Sequence, residues 1–249
     1  MLKGIKNKDP IPKGTIALTH SIVTKLRKLN LKRENSWYTY TIGVMLVFAW
    51  GFMLRCSEYT KTQYWDAPKI NQIEFSQSKD GTPLLKFKLI RRKTHNHTEL
   101  EPIAIPCTCS EFKLCTYHAV YHYIMECNKK HIKSPYLFVY WYKNNWKPFS
   151  DIRFRNELKL LLILHFGDNY DPKIHRAHGL RYGGVTDYGS IGMPLELIRR
   201  ITGHAPDSKV LLLYLKLSPE AVAQLVKQKA KGDKFAKETL KALKRRWTS

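Results

Sequence analysis

The chain has 249 residues, 43% of them hydrophobic and 12% aromatic, which is enough apolar matter for a sizeable core and excludes a disordered tail. Its 43 Lys and Arg against 20 Asp and Glu leave a formal net charge of +23, a self-repulsion that a polyanion would offset. Nucleic acid therefore leads the candidate partners, ahead of a merely soluble basic protein.

The opening MLKGIKNKDPIPKG has no apolar h-region, so no secretory signal is expected and the chain is placed inside the cell. Helical spacing of apolar residues follows over 19–31 and 37–56, with Ser36 as the N-cap of the second helix. The longest apolar run, 42–54, falls short of the ~20 residues a bilayer span needs, so no membrane anchor is expected. Three short runs, 70–75, 84–90 and 100–105, are separated by the turn signals Lys79-Asp80-Gly81 and His95-Asn96-His97 and predict a three-stranded antiparallel sheet. A helix resumes at Thr116 and breaks at Ser134-Pro135 into an aromatic stretch, YLFVYWYKNNW, read as a loop or a strand pair. Helices are predicted over 152–165, 177–188, 194–201, 207–217 and 219–230, with Pro194 and Pro219 at helix starts, before a basic tail. With no repeat or low-complexity linker, this is one mixed α+β domain, mostly helical around a small sheet.

Five cysteines, an odd number in a long chain, fit a disulfide framework poorly. Cys107, Cys109, Cys115 and His118 form a C-x-C-x5-C-x2-H pattern that lacks paired C-x2-C knuckles, so free thiols are expected, with a metal site on these four as the alternative. No cofactor is expected.

Two clusters point to phosphate chemistry. In GFMLRCSEY, Arg55 is expected to end the apolar helix, with Glu58 three residues on to orient its guanidinium; the plain alternative is an arginine favouring the helix dipole. His178 and Arg181 share a helical face in HGLR, either to grip one substrate oxygen or as part of a solvated basic face.

The segment HGLRYGGVTDYGSIGMPLELIRRITGHAPDSKVLLLYLKLSPE resembles the C-terminal signature of tyrosine recombinases, also called phage integrases: H-x-L-R, then P-x-x-x-I-x-x-x-x-G-H, then a tyrosine. Upstream, GFMLRCSEY resembles the family's G-x-x-x-R-x-S-E block and LCTYHAVYHYI its L-C-P-V-x-A-L-x-x-Y helix, with Thr116-Tyr117 where Pro-Val is usual. KLIRRKTHN resembles the S-K-T-D turn of the subgroup found in eukaryotic mobile elements, which implies Lys93 as the β-hairpin lysine, with Lys86, Lys88, Arg91 and Arg92 as competitors. The resemblance implies a tyrosine-recombinase catalytic domain over 15–230, preceded by a junction remnant of a missing core-binding domain at 1–14 and followed by a basic tail at 231–249. Tyr214 stands ten positions after His204, where nine is commoner.

What the resemblance implies is a site-specific DNA recombinase or integrase, working without metal or ATP through a 3′-phosphotyrosyl intermediate. Its catalytic residues would be Arg55, Lys93, His178, Arg181, His204 and Tyr214, supported by Glu58. Double-stranded DNA would be the partner, with tetramers on DNA, and the nucleus the compartment if the source is eukaryotic. The alternatives are an inactive DNA-binding relative and a DNA-relaxing enzyme of the type IB topoisomerase kind.

Overall fold

The computed structural model describes residues 14–34, 36–89 and 101–204, together with residues 226, 230 and 232. Its organising element is α2 (Trp37–Gly51), which follows α1 (His20–Arg33). Ser36 starts α2 with a reciprocal cap: its hydroxyl accepts the Thr39 N–H at 3.3 Å while the Thr39 hydroxyl accepts the Ser36 N–H at 3.2 Å. Such a cap is worth about 1 kcal/mol. From Thr41 to Gly51 every residue of α2 is buried, so the helix has no face to give to water and must be covered on all sides. The cover comes from α1, α4 (Thr116–Lys129), α6 (His178–Ser190) and β4 (Val139–Tyr142).

The three-stranded sheet is antiparallel in the order β1 (Ile73–Gln77), β2 (Pro83–Phe87) and β3 (Ile103–Pro106). Its inward residues, Leu85, Phe87, Ile103 and Ile105, are buried, and the Phe87 ring lies 5.1 Å from that of Phe48 on α2. Phe48 also meets Phe52 and Phe138 at 4.9 and 5.2 Å, so truncating it would cost about 3–5 kcal/mol. The predicted strand over 70–75 begins later than expected, because Ile70–Gln72 form a 3-10 turn. The Gln72 side chain accepts the Lys69 N–H and donates to the Lys88 carbonyl, each at 2.6 Å, which ties the turn to the end of β2.

The aromatic stretch is a strand pair, β4 with β5 (Asn145–Pro148), closed by a two-residue loop in which Lys143 and Asn144 both have positive φ, 49° and 56°. Both signs suit the right-handed twist of a tight hairpin. The remaining helices are α5 (Asp151–Phe166) and α7 (Leu195–Thr202). The helices expected over 207–217 and 219–230 lie outside the described residues, save positions 226 and 230, which are helical. Among the described residues, no helix is long and apolar enough to cross a membrane.

Two contacts set α6 against the rest. A Cβ on Gly183 would lie 1.8 Å from the Leu18 carbonyl oxygen, and one on Gly184 would lie 2.1 Å from that of Trp50. Only glycine permits this approach, which wedges α6 between the incoming chain and the end of α2.

Candidate active site

Helix α2 stops at Gly51, earlier than expected, because Met53 takes a left-handed φ of 51° and Leu54 donates back to the Ala49 carbonyl at 2.9 Å. Arg55 therefore does not end the apolar helix. It stands in extended backbone as the N-cap of a separate one-turn helix, α3 (Cys56–Tyr59). The relation expected between Arg55 and Glu58 survives that change. Glu58 accepts the Arg55 backbone N–H at 2.7 Å and its guanidinium Nη1 at 3.3 Å.

Arg181 sits in the first turn of α6, three residues after His178, and that spacing puts the two on one side of the helix. Its side chain is 1% exposed, an unusual place for a guanidinium. Nη1 donates to the Met53 carbonyl at 2.9 Å and Nη2 to the Thr202 carbonyl at 2.6 Å. Nη1 also lies 4.0 Å from Glu58 Oε2, so one carboxylate, itself 2% exposed, stands between two guanidiniums. A lone buried charge would be costly, and this shared counter-charge offsets part of the cost while leaving the cluster net positive.

His204 arrives by a helix stop. At the end of α7, Gly203 adopts φ 67°, and the N–H groups of Gly203 and His204 both return to the Arg199 carbonyl, at 2.8 and 3.2 Å. This turn brings the His204 ring back to Arg181, with Nη2 3.3 Å from Nε2. Arginine has no acceptor, so Nε2 accepts in this contact. The proton then sits on Nδ1, which faces the Thr202 hydroxyl at 2.8 Å, and that hydroxyl donates onward to the Ile198 carbonyl at 2.7 Å. Thr202 thus holds Arg181 through its backbone and His204 through its side chain. The sequence did not single it out, although its place just before the helix-stopping Gly-His pair is a usable signal.

Arg55, Glu58, Arg181 and His204 are brought together, from α3, α6 and the end of α7. Lys93 and Tyr214 lie outside the described residues, as do Arg91 and Arg92. Of the competing lysines, Lys86 is engaged across β1 and β2 with Glu74 at 2.7 Å, and Lys88 is exposed just beyond β2. Thr116 donates its hydroxyl to the Val47 carbonyl at 3.3 Å and packs where a Cβ on Gly51 would stand. A cleft lined by Ser57, Tyr64, Trp65 and Lys69 reaches the Glu58 side chain. Two guanidiniums linked through one carboxylate, with an imidazole beside the second, can grip a tetrahedral oxyanion and stabilise added negative charge on it.

The fold is that of a tyrosine-recombinase catalytic domain: mostly helical, with a small three-stranded antiparallel sheet. It is similar to the XerH site-specific recombinase bound to difH substrate in a pre-cleavage complex, with a TM-score of 0.54 and 15% identity over 84% of this chain and 53% of that one. It is also similar to the XerA recombinase, with a TM-score of 0.53 and 16% identity over 86% of this chain and 65% of that one. The integrase of the Tn1549 transposon in complex with transposon right end DNA gives 0.52 and 16%, over 89% of this chain and 68% of that one. The chain thus spans between about half and two thirds of the two recombinases it resembles. No family model and no curated protein matches the sequence.

Proposed function

We propose that this chain breaks and rejoins DNA strands as a tyrosine recombinase, with Arg55, Arg181 and His204 binding the scissile phosphate. The observation that carries the reading is the buried Arg181 guanidinium. Two backbone carbonyls fix it in place, with His204 Nε2 at 3.3 Å and Arg55 across the shared Glu58 carboxylate. A structural arginine needs no second guanidinium and imidazole beside it; a phosphoryl-transfer site does.

In this reading the Tyr214 oxygen attacks phosphorus and the bond to the 5′ oxygen breaks. The leaving alkoxide takes a proton, which Lys93 supplies as general acid. Arg55 and Arg181 donate to the non-bridging oxygens as negative charge builds there, and His204 adds a further bond. His178 assists at the tyrosine by accepting the proton that the Tyr214 hydroxyl loses as its oxygen bonds to phosphorus. The Thr202 hydroxyl can either accept from Nδ1 or donate to it, so it supports His204 with Nε2 as acceptor in the free site and as donor to bound phosphate. The phosphotyrosyl ester keeps the energy of the phosphodiester, so attack by another 5′-hydroxyl rejoins DNA without ATP or metal. The solved Xer and Tn1549 complexes with DNA, and the net charge of +23, support double-stranded DNA as the substrate. Assembly as a tetramer on DNA, kinship with eukaryotic mobile elements and a nuclear site of action in a eukaryotic source belong to the same proposal.

The test is a nicked, end-labelled duplex that traps the cleaved strand. The unaltered chain forms a covalent protein–DNA band and Tyr214→Phe forms none. Equal bands from both, or salt-sensitive DNA binding with no band from either, overturn the reading.

A further inference from the structure

Three thiols and an imidazole that the phosphoryl chemistry does not use meet at the β3–α4 connection. Cys107 follows β3 directly, Cys109 lies in the turn, Cys115 is the N-cap of α4 and His118 is in the first turn of that helix. The Cys107 and Cys115 sulfurs are 3.7 Å apart. His118 Nδ1 lies 3.7 Å from Cys107 Sγ and 3.1 Å from Cys109 Sγ. All four ligand atoms fall within 4.8 Å of one another.

A tetrahedral zinc ion with Zn–S of ~2.3 Å and Zn–N of ~2.0 Å sets its sulfurs about 3.8 Å apart and its sulfur–nitrogen pairs about 3.6 Å apart. The Cys107–Cys115 and Cys107–His118 separations, 3.7 Å each, match these values, Cys109 stands closer to His118 at 3.1 Å, and the remaining pairs fall within 4.8 Å. A disulfide does not account for it, since bonded sulfurs stand ~2.05 Å apart, and all five cysteines are free. The supporting shell is present as well: the Thr108 backbone N–H points at Cys115 Sγ at 3.3 Å, the kind of bond that stabilises a metal-bound thiolate. The connecting turn is held independently, because Phe112 donates its N–H to the Thr108 carbonyl at 2.8 Å and buries its ring 5.1 Å from Trp50. The ligands are therefore pre-placed by the core.

We infer that Cys107, Cys109, Cys115 and His118 bind one zinc ion as a closed, structural Cys3His site. Four protein ligands leave no open position for water or substrate, so the ion acts as a cross-link. It ties the end of β3 to the start of α4, the helix whose Thr116 packs against the end of α2. That junction precedes the Met53 carbonyl that holds Arg181.

The full chain is purified under reducing conditions without chelator, and its metal content is measured alongside Cys107→Ser, Cys115→Ser and, as a control at a buried thiol outside the cluster, Cys127→Ser. Zinc at one per chain is expected in the unaltered protein and in Cys127→Ser, and loss of the ion in the other two. Titration of the metal-stripped unaltered chain with cobalt(II) keeps the question decidable if a variant fails to fold. Intense tetrahedral d–d bands with thiolate-to-cobalt charge transfer are expected. Absence of zinc together with absence of those bands overturns the inference, as does an octahedral cobalt spectrum or metal retained equally by Cys107→Ser and Cys115→Ser.

Discussion

Arg181 donates to the Thr202 carbonyl at 2.6 Å, and the Thr202 hydroxyl lies 2.8 Å from the ring of His204, which in turn meets Arg181. The three form a closed circuit in which neither the imidazole nor the guanidinium can turn without breaking a buried hydrogen bond. Removing the hydroxyl alone opens the circuit on the histidine side. Thr202→Val, which keeps the shape, should slow strand cleavage about 10- to 100-fold, the equivalent of one buried hydrogen bond. Thr202→Ser should stay within a few-fold of the unaltered chain. Single-turnover cleavage of nicked DNA with binding measured in parallel checks this; a valine variant as fast as the parent would refute the role.

Arg181→Lys should fail more severely. An ammonium cannot reach the Met53 and Thr202 carbonyls as a planar fork does and still face a phosphate. Cleavage should fall by ~100- to 1,000-fold, as for loss of one preorganised donor. DNA binding, which rests on many basic residues, should change little in a filter or anisotropy assay.

Glu58 holds two cations with one carboxylate, so Glu58→Gln leaves Arg55 and Arg181 facing each other with less compensation. Breaking a buried pair costs up to about 3–5 kcal/mol, and the isosteric amide should keep the loss near the lower bound. At ~2–4 °C per kcal/mol for a domain of this size, Tm should fall by roughly 10 °C. Millimolar phosphate or sulfate should restore the variant more than it raises the parent, because the anion replaces the missing negative charge. An anion effect equal in both proteins would count against the shared-carboxylate geometry.

Asp187 supplies a pH dependence. Burial pushes its carboxyl up to about 6 from an ordinary 3.8, against the hydrogen bonds it accepts from the His20 N–H and from Trp50 Nε1 at 2.8 Å. The folded state thus holds its proton more tightly than the unfolded chain. Stability from this group is complete below pH 4 and is lost as pH rises to about 6, amounting to at most about 3 kcal/mol. Asp187→Asn should remove that slope and raise Tm at pH 7, with little change at pH 4, when melting curves of the two proteins are compared across the range.

Gly184→Ala tests the placement of α6. The added methyl would stand 2.1 Å from the Trp50 carbonyl, so the helix must move or the end of α2 must distort. A loss of about 1–3 kcal/mol in denaturant unfolding is expected, with cleavage falling further than stability because Arg181 rides on the same helix. Unchanged unfolding would show that the approach is looser than described.

Read alone, the sequence determined the class of fold and most of the described helices, because apolar spacing, the Ser36 cap and the Pro194 start are local and are written in neighbouring residues. It also marked Arg55, His178, Arg181 and His204 through motif spacing. Tertiary structure alone decided where Arg55 stands, since a left-handed Met53 ends α2 four residues before it, and nothing in methionine's side chain announces such a turn. It alone decided the work of Thr202 and of the Met53 carbonyl, because backbone oxygens carry no sequence signature. The same holds for Cys107, Cys109, Cys115 and His118. Their spacing matches no paired knuckle, yet a strand end and a helix start brought side by side by the core bring the four together. Spacing along the chain reports what lies within a turn or two, while contacts between distant segments depend on how closely whole elements pack.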